Sequence, residues 1–253
     1  MEFYSRILPQ LPLFALVFMR CTGLFSQAPL FGQQRIPAQV RIMLSLMIAA
    51  TLFPLIPPRP VPEDAIMFII TCLLELITGL IYGWCSQLLF EGVVLAGQFI
   101  GLQMGFSQAN IFNPDAAVQR PLISEFYYIM SLLVFFSFDG HHFLILAIQK
   151  SFSTVPVGTF IFNEQTLTHV TALFAQVFLV SLIIAAPING VLTLIDLILG
   201  LVARTAPQMN ILVISFSIKI YVGILTFLFS LAFTFEFIHD LLQQLLLQLA
   251  KVI

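Results

Sequence analysis

The hydrophobic positions of this 253-residue chain fall into six long runs, separated by short stretches rich in glycine, proline and asparagine. The runs cover residues 10–30, 38–56, 65–102, 125–150, 168–203 and 212–250. Long runs without strict alternation predict helices, because a backbone in an apolar medium has to satisfy its own hydrogen bonds. We therefore expect an all-α, integral-membrane-like fold of hydrophobic helical hairpins with interrupted helices, forming a single domain over residues 1–253.

Charged side chains lie inside most of these runs, which is unusual for helices that face lipid. They are Arg20, Arg41, Glu75, Glu91, Asp139, Asp196, Lys219 and Glu236. Each would cost roughly 2.5 to 3.5 kcal/mol at the centre of a bilayer. Only residues 92–114 and 165–195 exceed the roughly 20 charge-free residues of a typical span. The second of these windows is interrupted by Pro187, Asn189 and Gly190.

The basic residues of the connecting loops do not orient the chain. If six spans are assumed, Arg6, Arg59, Lys150 and Lys251 fall on one side, and Arg35, Arg41, Arg120 and Arg204 on the other. The positive-inside rule, which uses such residues to set topology, is therefore uninformative. We expect helices that pack against other subunits in a hetero-oligomeric helical assembly. A six-span transporter or channel that works alone is the alternative.

Composition excludes several classes of protein. The chain is 60% hydrophobic and 9% charged, with a formal net charge of -2. This balance argues against a soluble enzyme, a disordered chain and a nucleic-acid-binding protein. The sequence has no phosphate-binding GxxxxGK[ST] loop and no GxSxG, HExxH or SxxK motif. We expect neither enzymatic activity nor a cofactor.

Small and mobile residues gather between the third and fourth runs. Gly97, Gly101 and Gly105 recur at every fourth position, which predicts a ridge where another helix can approach closely, in this chain or in a neighbour. The loop that follows, about residues 103–121, combines large apolar side chains with permissive ones. Met104, Phe106, Ile111 and Phe112 are candidates for a hydrophobic constriction, and Gly105 and Asn110 would let the loop move. A surface loop whose aromatics dip into the membrane interface is the alternative.

The remaining polar groups suggest structure rather than catalysis. Candidate ion-pair residues between helices or subunits are Arg41, Glu75, Glu91, Asp139, Asp196, Arg204 and Lys219. Asp139, Gly140, His141 and His142 form a cluster that resembles a metal or proton site. However, adjacent histidines should point to different helix faces, and no third ligand has metal spacing, so we expect Asp139 to cap a helix and the imidazoles to bond to neighbouring groups. A proton relay is the alternative. The tail, residues 239–253, predicts an amphipathic helix.

The order of these motifs resembles the FliR family of bacterial export proteins. The motifs include Arg35-Ile-Pro-Ala-Gln-Val-Arg41, Gly101-Leu-Gln-Met-Gly105-Phe106, Asp139-Gly-His-His142, Ala186-Pro187 and the stretch 196–210 with Lys219. Each motif is weak alone, but together they keep the family's order over almost the whole chain. The related SctT subunits of virulence secretion systems are more distant in these motifs and remain the alternative.

The resemblance implies a function that composition does not show. FliR-like proteins are core subunits of the flagellar type III export gate in the bacterial inner membrane, at the centre of the basal body. The implied partners are FliP, FliQ and FlhB, with FlhA and the MS ring nearby, membrane lipid around the assembly and unfolded flagellar subunits in transit. In the family, the loop corresponding to residues 104–119 plugs the export channel. No nucleic acid and no metal are implied.

Overall fold

The computed structural model describes residues 10–29, 31, 36–57, 60–106, 121–159, 164–205 and 211–251. Regular structure in these ranges is helical, which confirms the all-α prediction. The α-helices are α1 (Leu11–Gln27), α2 (Ala38–Leu52), α3 (Ala65–Met104), α4 (Leu122–Ser137), α5 (Gly140–Thr154), α6 (Glu164–Thr205) and α7 (Ile211–Lys251). A short 3-10 turn, Phe53–Leu55, continues α2. Chain contacts divide into two compact units, so the prediction of a single domain stays a prediction.

Four helical stretches among the described residues are long and apolar enough to cross a membrane. They are Ala38–Leu55, Ala65–Met104, Val170–Thr205 and Ile214–Leu241. The pair α4 and α5 would form a fifth crossing, bent by 71°. The apolar run 125–150 is therefore two helices and not one, because Asp139 adopts a left-handed conformation (φ 55°) that turns the chain.

The sequence predicts an interruption of the apolar window 165–195 at Pro187, but the structure has one continuous helix, α6, there. It is continuous from Glu164 to Thr205, with Pro187 inside it. Proline removes one backbone N–H and crowds the preceding turn, but long membrane helices tolerate it where neighbouring groups compensate. The polar residues nearby stay helical as well. The Thr193 hydroxyl donates to the Asn189 carbonyl oxygen one turn back at 2.7 Å, and the Thr226 hydroxyl of α7 makes the same kind of bond to the Val222 carbonyl oxygen at 2.8 Å.

The first compact unit comprises Met1–Leu88, Phe136–Thr171 and Gln244–Ile253. Within it, α1 and the first half of α3 cross in direct backbone contact at Gly23 and Gly79. A Cβ on Gly79 would overlap the Arg20 carbonyl oxygen, and one on Gly23 would lie 2.8 Å from the Leu80 nitrogen. Only glycine allows two helices to approach this closely, so these positions fix where α1 crosses α3.

The crossing brings two buried charges together. Arg20 of α1 and Glu75 of α3 are both fully buried, and Arg20 Nε donates to Glu75 Oε2 at 2.5 Å. Arg20 Nη1 also donates to the Ser151 hydroxyl at 3.1 Å and to the Val155 carbonyl oxygen at 3.0 Å. The Phe152 ring covers the guanidinium carbon at 4.2 Å from the ring centroid. The pair therefore joins α1, α3 and α5.

The second unit comprises Leu89–Phe135 and Ala172–Gln243. Its core combines aliphatic side chains with aromatic rings in contact, such as Phe90 edge-on to Phe135 (5.5 Å between centroids) and Tyr127 tilted against Phe227 (5.4 Å). Gly92 lies against α6, where a Cβ would be 3.2 Å from the Val177 carbonyl oxygen. The second half of α3 thus packs on α4, α6 and α7.

Replacing Glu75 by Gln should destabilise the protein strongly, because Arg20 would keep its charge in a buried site without a counter-charge. We expect a loss of about 3 to 5 kcal/mol in the free energy of unfolding. The double variant Arg20→Met plus Glu75→Gln should lose less than the sum of the two single variants, since the partners are coupled. Denaturant unfolding in detergent micelles measures both, and strict additivity would contradict the coupling.

Replacing Gly79 by Ala should also destabilise the protein, because the new methyl group meets the Arg20 backbone. We expect a loss of about 1 to 3 kcal/mol, as for other overpacked sites. The matched control is Gly190→Ala in α6, where nothing lies within 4 Å of the added Cβ. That variant should gain about 0.5 to 1 kcal/mol from helix propensity. Equal effects of the two variants on melting temperature would contradict the close crossing.

Candidate functional site

The candidate site is the C-terminal end of α3, from Gln103 to Phe106, which we call the loop root. Here Gly105 N donates to the Leu102 carbonyl oxygen at 3.1 Å, and Phe106 N donates to the Gly101 carbonyl oxygen at 3.0 Å. This pair of bonds is the Schellman motif, which ends a helix at a residue with positive φ. Gly105 has a φ of 89°, a conformation that glycine adopts without steric cost. The end of α3 is thus fixed by Gly105.

The three regularly spaced glycines do not form one packing ridge. A Cβ on Gly97 would lie 2.5 Å from the Ser124 Cα, and one on Gly101 would lie 3.4 Å from the Pro121 Cβ. These two glycines therefore admit the start of α4, within the same chain. Gly105 lies beyond the end of α3 and faces the Phe216 ring of α7 at 3.1 Å from its added Cβ. The expectation of a continuous ridge is wrong for Gly105, because the helix ends one residue before it.

Met104 is the apolar anchor of the loop root. It is fully buried, and its side chain lies against Gly223 of α7, where an added Cβ would be 2.8 Å from Met104 Cε. A side chain larger than hydrogen at position 223 would displace Met104. The sequence pattern gave no sign of this contact, because a lone glycine in an apolar helix has no distinguishing neighbour.

A polar link lies beside this apolar anchor. Gln103 Nε2 donates to Asp196 Oδ2 at 3.1 Å, and Lys219 Nζ donates to Asp196 Oδ1 at 2.5 Å. The Lys219 side chain is 19% exposed and that of Asp196 is 38% exposed. The carboxylate of Asp196 on α6 therefore binds Lys219 of α7 and the side-chain amide of Gln103 on α3, so that it connects the three helices.

Phe106 is the last described residue of the loop, and it is half-buried. Three candidate gate residues, Asn110, Ile111 and Phe112, lie outside the described residues. The same holds for most of the loop predicted at 103–121, and for the side chains of the tail beyond Leu241. Their roles stay predictions.

The other predicted ion-pair residues are spread over the two units. Glu75 pairs with Arg20, and its second oxygen, Oε1, accepts a hydrogen bond from Gly158 N at 2.8 Å. Arg41 is half-buried on α2, and its Nε has no hydrogen-bond partner among the described residues. Glu91 is half-buried on α3. Arg204 is exposed in the last turn of α6, where a positive charge favours the helix C-terminus.

The turn between α4 and α5 corrects two expectations. Asp139 occupies the N-cap position of α5, but its side chain makes no capping hydrogen bond. The rings of His141 and His142 lie close together, with centroids 4.3 Å apart, and do not point to different faces. Asp139 Oδ1 lies 3.7 Å from His142 Nδ1. Asp139 has a left-handed backbone (φ 55°), and one of its carboxylate oxygens lies near a ring nitrogen of each imidazole.

Two residues that matter here were not among the predicted site residues. Arg20 was noted only as a charge inside an apolar run, and Gln103 only as part of the loop. The rule that a buried charge needs an opposite charge predicts a basic partner for Glu75, but it does not select Arg20 among the basic residues of the apolar runs. For Gln103 no such rule exists, because an amide pairs with many groups.

Comparisons with known proteins identify the family of this chain. The profile of the bacterial export proteins, family 1, matches residues 11–245. The flagellar biosynthetic protein FliR of Bacillus subtilis is 33% identical over 239 residues, which cover 93% of this chain and 92% of that protein. FliR of Escherichia coli is 32% identical over 81% of this chain and 79% of that protein, and FliR of Pectobacterium carotovorum is 31% identical over 92% of each. This chain therefore belongs to the bacterial export proteins, family 1, the family of the flagellar FliR proteins.

Proposed function

We propose that this chain is a core subunit of the flagellar protein export gate in the bacterial inner membrane. Membership of the export family makes it a membrane component of a transport apparatus and not an enzyme. The relatives reported above are flagellar, which favours the flagellar system over a virulence secretion system. In this proposal the chain assembles with FliP and FliQ, contacts FlhB, and surrounds the path of unfolded flagellar subunits.

Exposed apolar side chains support assembly with other subunits. On α6 and α7 they include Phe229, which is 85% exposed, Tyr221, which is 73% exposed, and Leu201, which is 68% exposed. Large apolar groups on a helix surface need lipid or protein as a neighbour. FliP, FliQ and lipid share this cover in the proposal.

The loop that begins at Phe106 is proposed to close the channel at rest. The observation that carries this proposal is the loop root, where Met104 is buried against Gly223 and Gln103 is bound to Asp196. Such a root would hold one end of the loop in place, and in this proposal the Phe106, Ile111 and Phe112 side chains fill the pore. Apolar side chains close a pore by excluding water, and they yield when a substrate displaces them. Met104 serves in this scheme as the anchor of the plug.

The double variant Phe106→Ala plus Phe112→Ala should weaken this closure. We expect increased leakage of small ions through the membrane of the resting bacterium, because smaller side chains admit water. The matched control is Phe106→Leu plus Phe112→Leu, which keeps the apolar volume and should stay closed. Ion leakage and swimming motility are measured in the same strains. Unchanged leakage with normal export in the alanine variant would disprove the plug.

Replacing Asp196 by Ala should impair assembly, because Lys219 and Gln103 lose their common partner at the base of the loop. We expect less FliP and FliQ to co-purify with the variant, and swimming to be reduced. The control is Glu236→Ala, which removes an exposed carboxylate of α7 and should leave the complex intact. An intact complex and normal export in the Asp196 variant would rule out its role in assembly.

A further inference from the structure

Three metal-binding side chains meet at the bend between α4 and α5. One carboxylate oxygen of Asp139 and one ring nitrogen each of His141 and His142 lie within 4.8 Å of one another. All three belong to the first compact unit, and none takes part in the loop root or in the Arg20 and Glu75 pair. Two imidazoles and a carboxylate are the ligand types that zinc and its neighbours prefer.

The three side chains lie close together, but the distances given for them do not include a hydrogen bond between them. The distance of 3.7 Å between Asp139 Oδ1 and His142 Nδ1 is too long for a hydrogen bond. His141 Nδ1 is shielded from solvent and has no hydrogen-bond partner among the described residues. A buried ring nitrogen without a partner is costly, and a bound cation or a proton donor would remove that cost.

The backbone of the turn holds this arrangement in place. Asp139 is the one residue other than glycine with positive φ in the described part of the chain. Its amide donates to the Phe136 carbonyl oxygen at 3.1 Å, and its own carbonyl oxygen accepts from His142 N at 2.8 Å. A left-handed backbone conformation costs energy in a residue other than glycine, and it persists only where the surrounding structure holds it. Such residues are concentrated at functional sites. The carboxylate of this residue lies near the two imidazoles.

We propose that Asp139, His141 and His142 bind a divalent transition-metal cation of the zinc class. Ligand atoms around a tetrahedral zinc ion lie about 3.3 Å apart at bond lengths of about 2.0 Å. The present spacing reaches this geometry by small side-chain rotations, since the Asp139 side chain is 70% exposed and that of His142 is 65% exposed. Water supplies the fourth ligand. The cation would bridge the turn at Asp139 to the first residues of α5.

The test uses the full-length protein, purified in detergent, stripped with a chelator and titrated with Zn²⁺ in a calorimeter. We expect one saturable site per chain. The variant His141→Ala plus His142→Ala should lose the site, and Asp139→Asn should weaken Zn²⁺ binding by at least about tenfold. Asparagine adopts the left-handed conformation readily, so the second variant keeps the turn while removing the charged ligand.

The control is His239→Gln, which removes a histidine of α7 and should bind Zn²⁺ like the wild type. Co²⁺ provides a second readout, because its visible absorption becomes stronger when the octahedral hydrated ion changes to tetrahedral coordination in a protein site. Zn²⁺ should also raise the melting temperature of the wild type and leave that of the double variant unchanged. Absence of a saturable site in the wild type, or equal binding by wild type and Asp139→Asn, would overturn the proposal. These measurements do not depend on export, so they stand apart from the gate proposal.

Discussion

The buried ion pair of Arg20 and Glu75 is the constraint around which the first unit is built. Two fully buried charges are tolerated when each has an opposite charge and further hydrogen bonds. Gly23 and Gly79 let α1 approach α3 closely enough for the pair to form, and Arg20 Nη1 donates to Ser151 and to the carbonyl oxygen of Val155, whereas Arg20 Nη2 has no hydrogen-bond partner among the described residues. Gly158 N completes the carboxylate. The close contact of α1 with α3 and the backbone groups of Val155 and Gly158 therefore all contribute to the burial of this ion pair.

The second unit contains a similar ion pair, which is partly exposed. Asp196 is held by Lys219 and Gln103 from two other helices. This changes the meaning of charges inside apolar runs. From the sequence they suggested contacts with neighbouring subunits, but Glu75 and Asp196 find their partners within the chain. The apolar side chains exposed along α6 and α7 are therefore a better indication of contacts with other subunits than the positions of the charges are.

The sequence predicts this fold to the extent that a local signal exists. Run length and apolarity identify the helices, and opposite charges inside such runs indicate pairs. Asp139 lies at the start of a helix, as its sequence context predicts, but the expected capping hydrogen bond is absent and the backbone is left-handed, which no local sequence signal indicates. Continuity of α6 through Pro187 was also missed, since compensation by neighbouring groups is a tertiary effect. Met104 and Gly223 meet across more than a hundred residues, a pairing that no spacing rule contains.

The loop root also restricts how a plug on this chain could open. Gln103 is bound to Asp196 and Met104 is buried against α7, which ties the last turn of α3 to α6 and α7. The backbone N–H groups of Gly105 and Phe106 end the helix by donating to the Leu102 and Gly101 carbonyl oxygens. In the proposed plug, displacement that spares these contacts begins after the backbone N–H of Phe106. Opening in this scheme breaks the apolar contacts of a few side chains and leaves the helix packing intact, which keeps the step small compared with a rearrangement of helices.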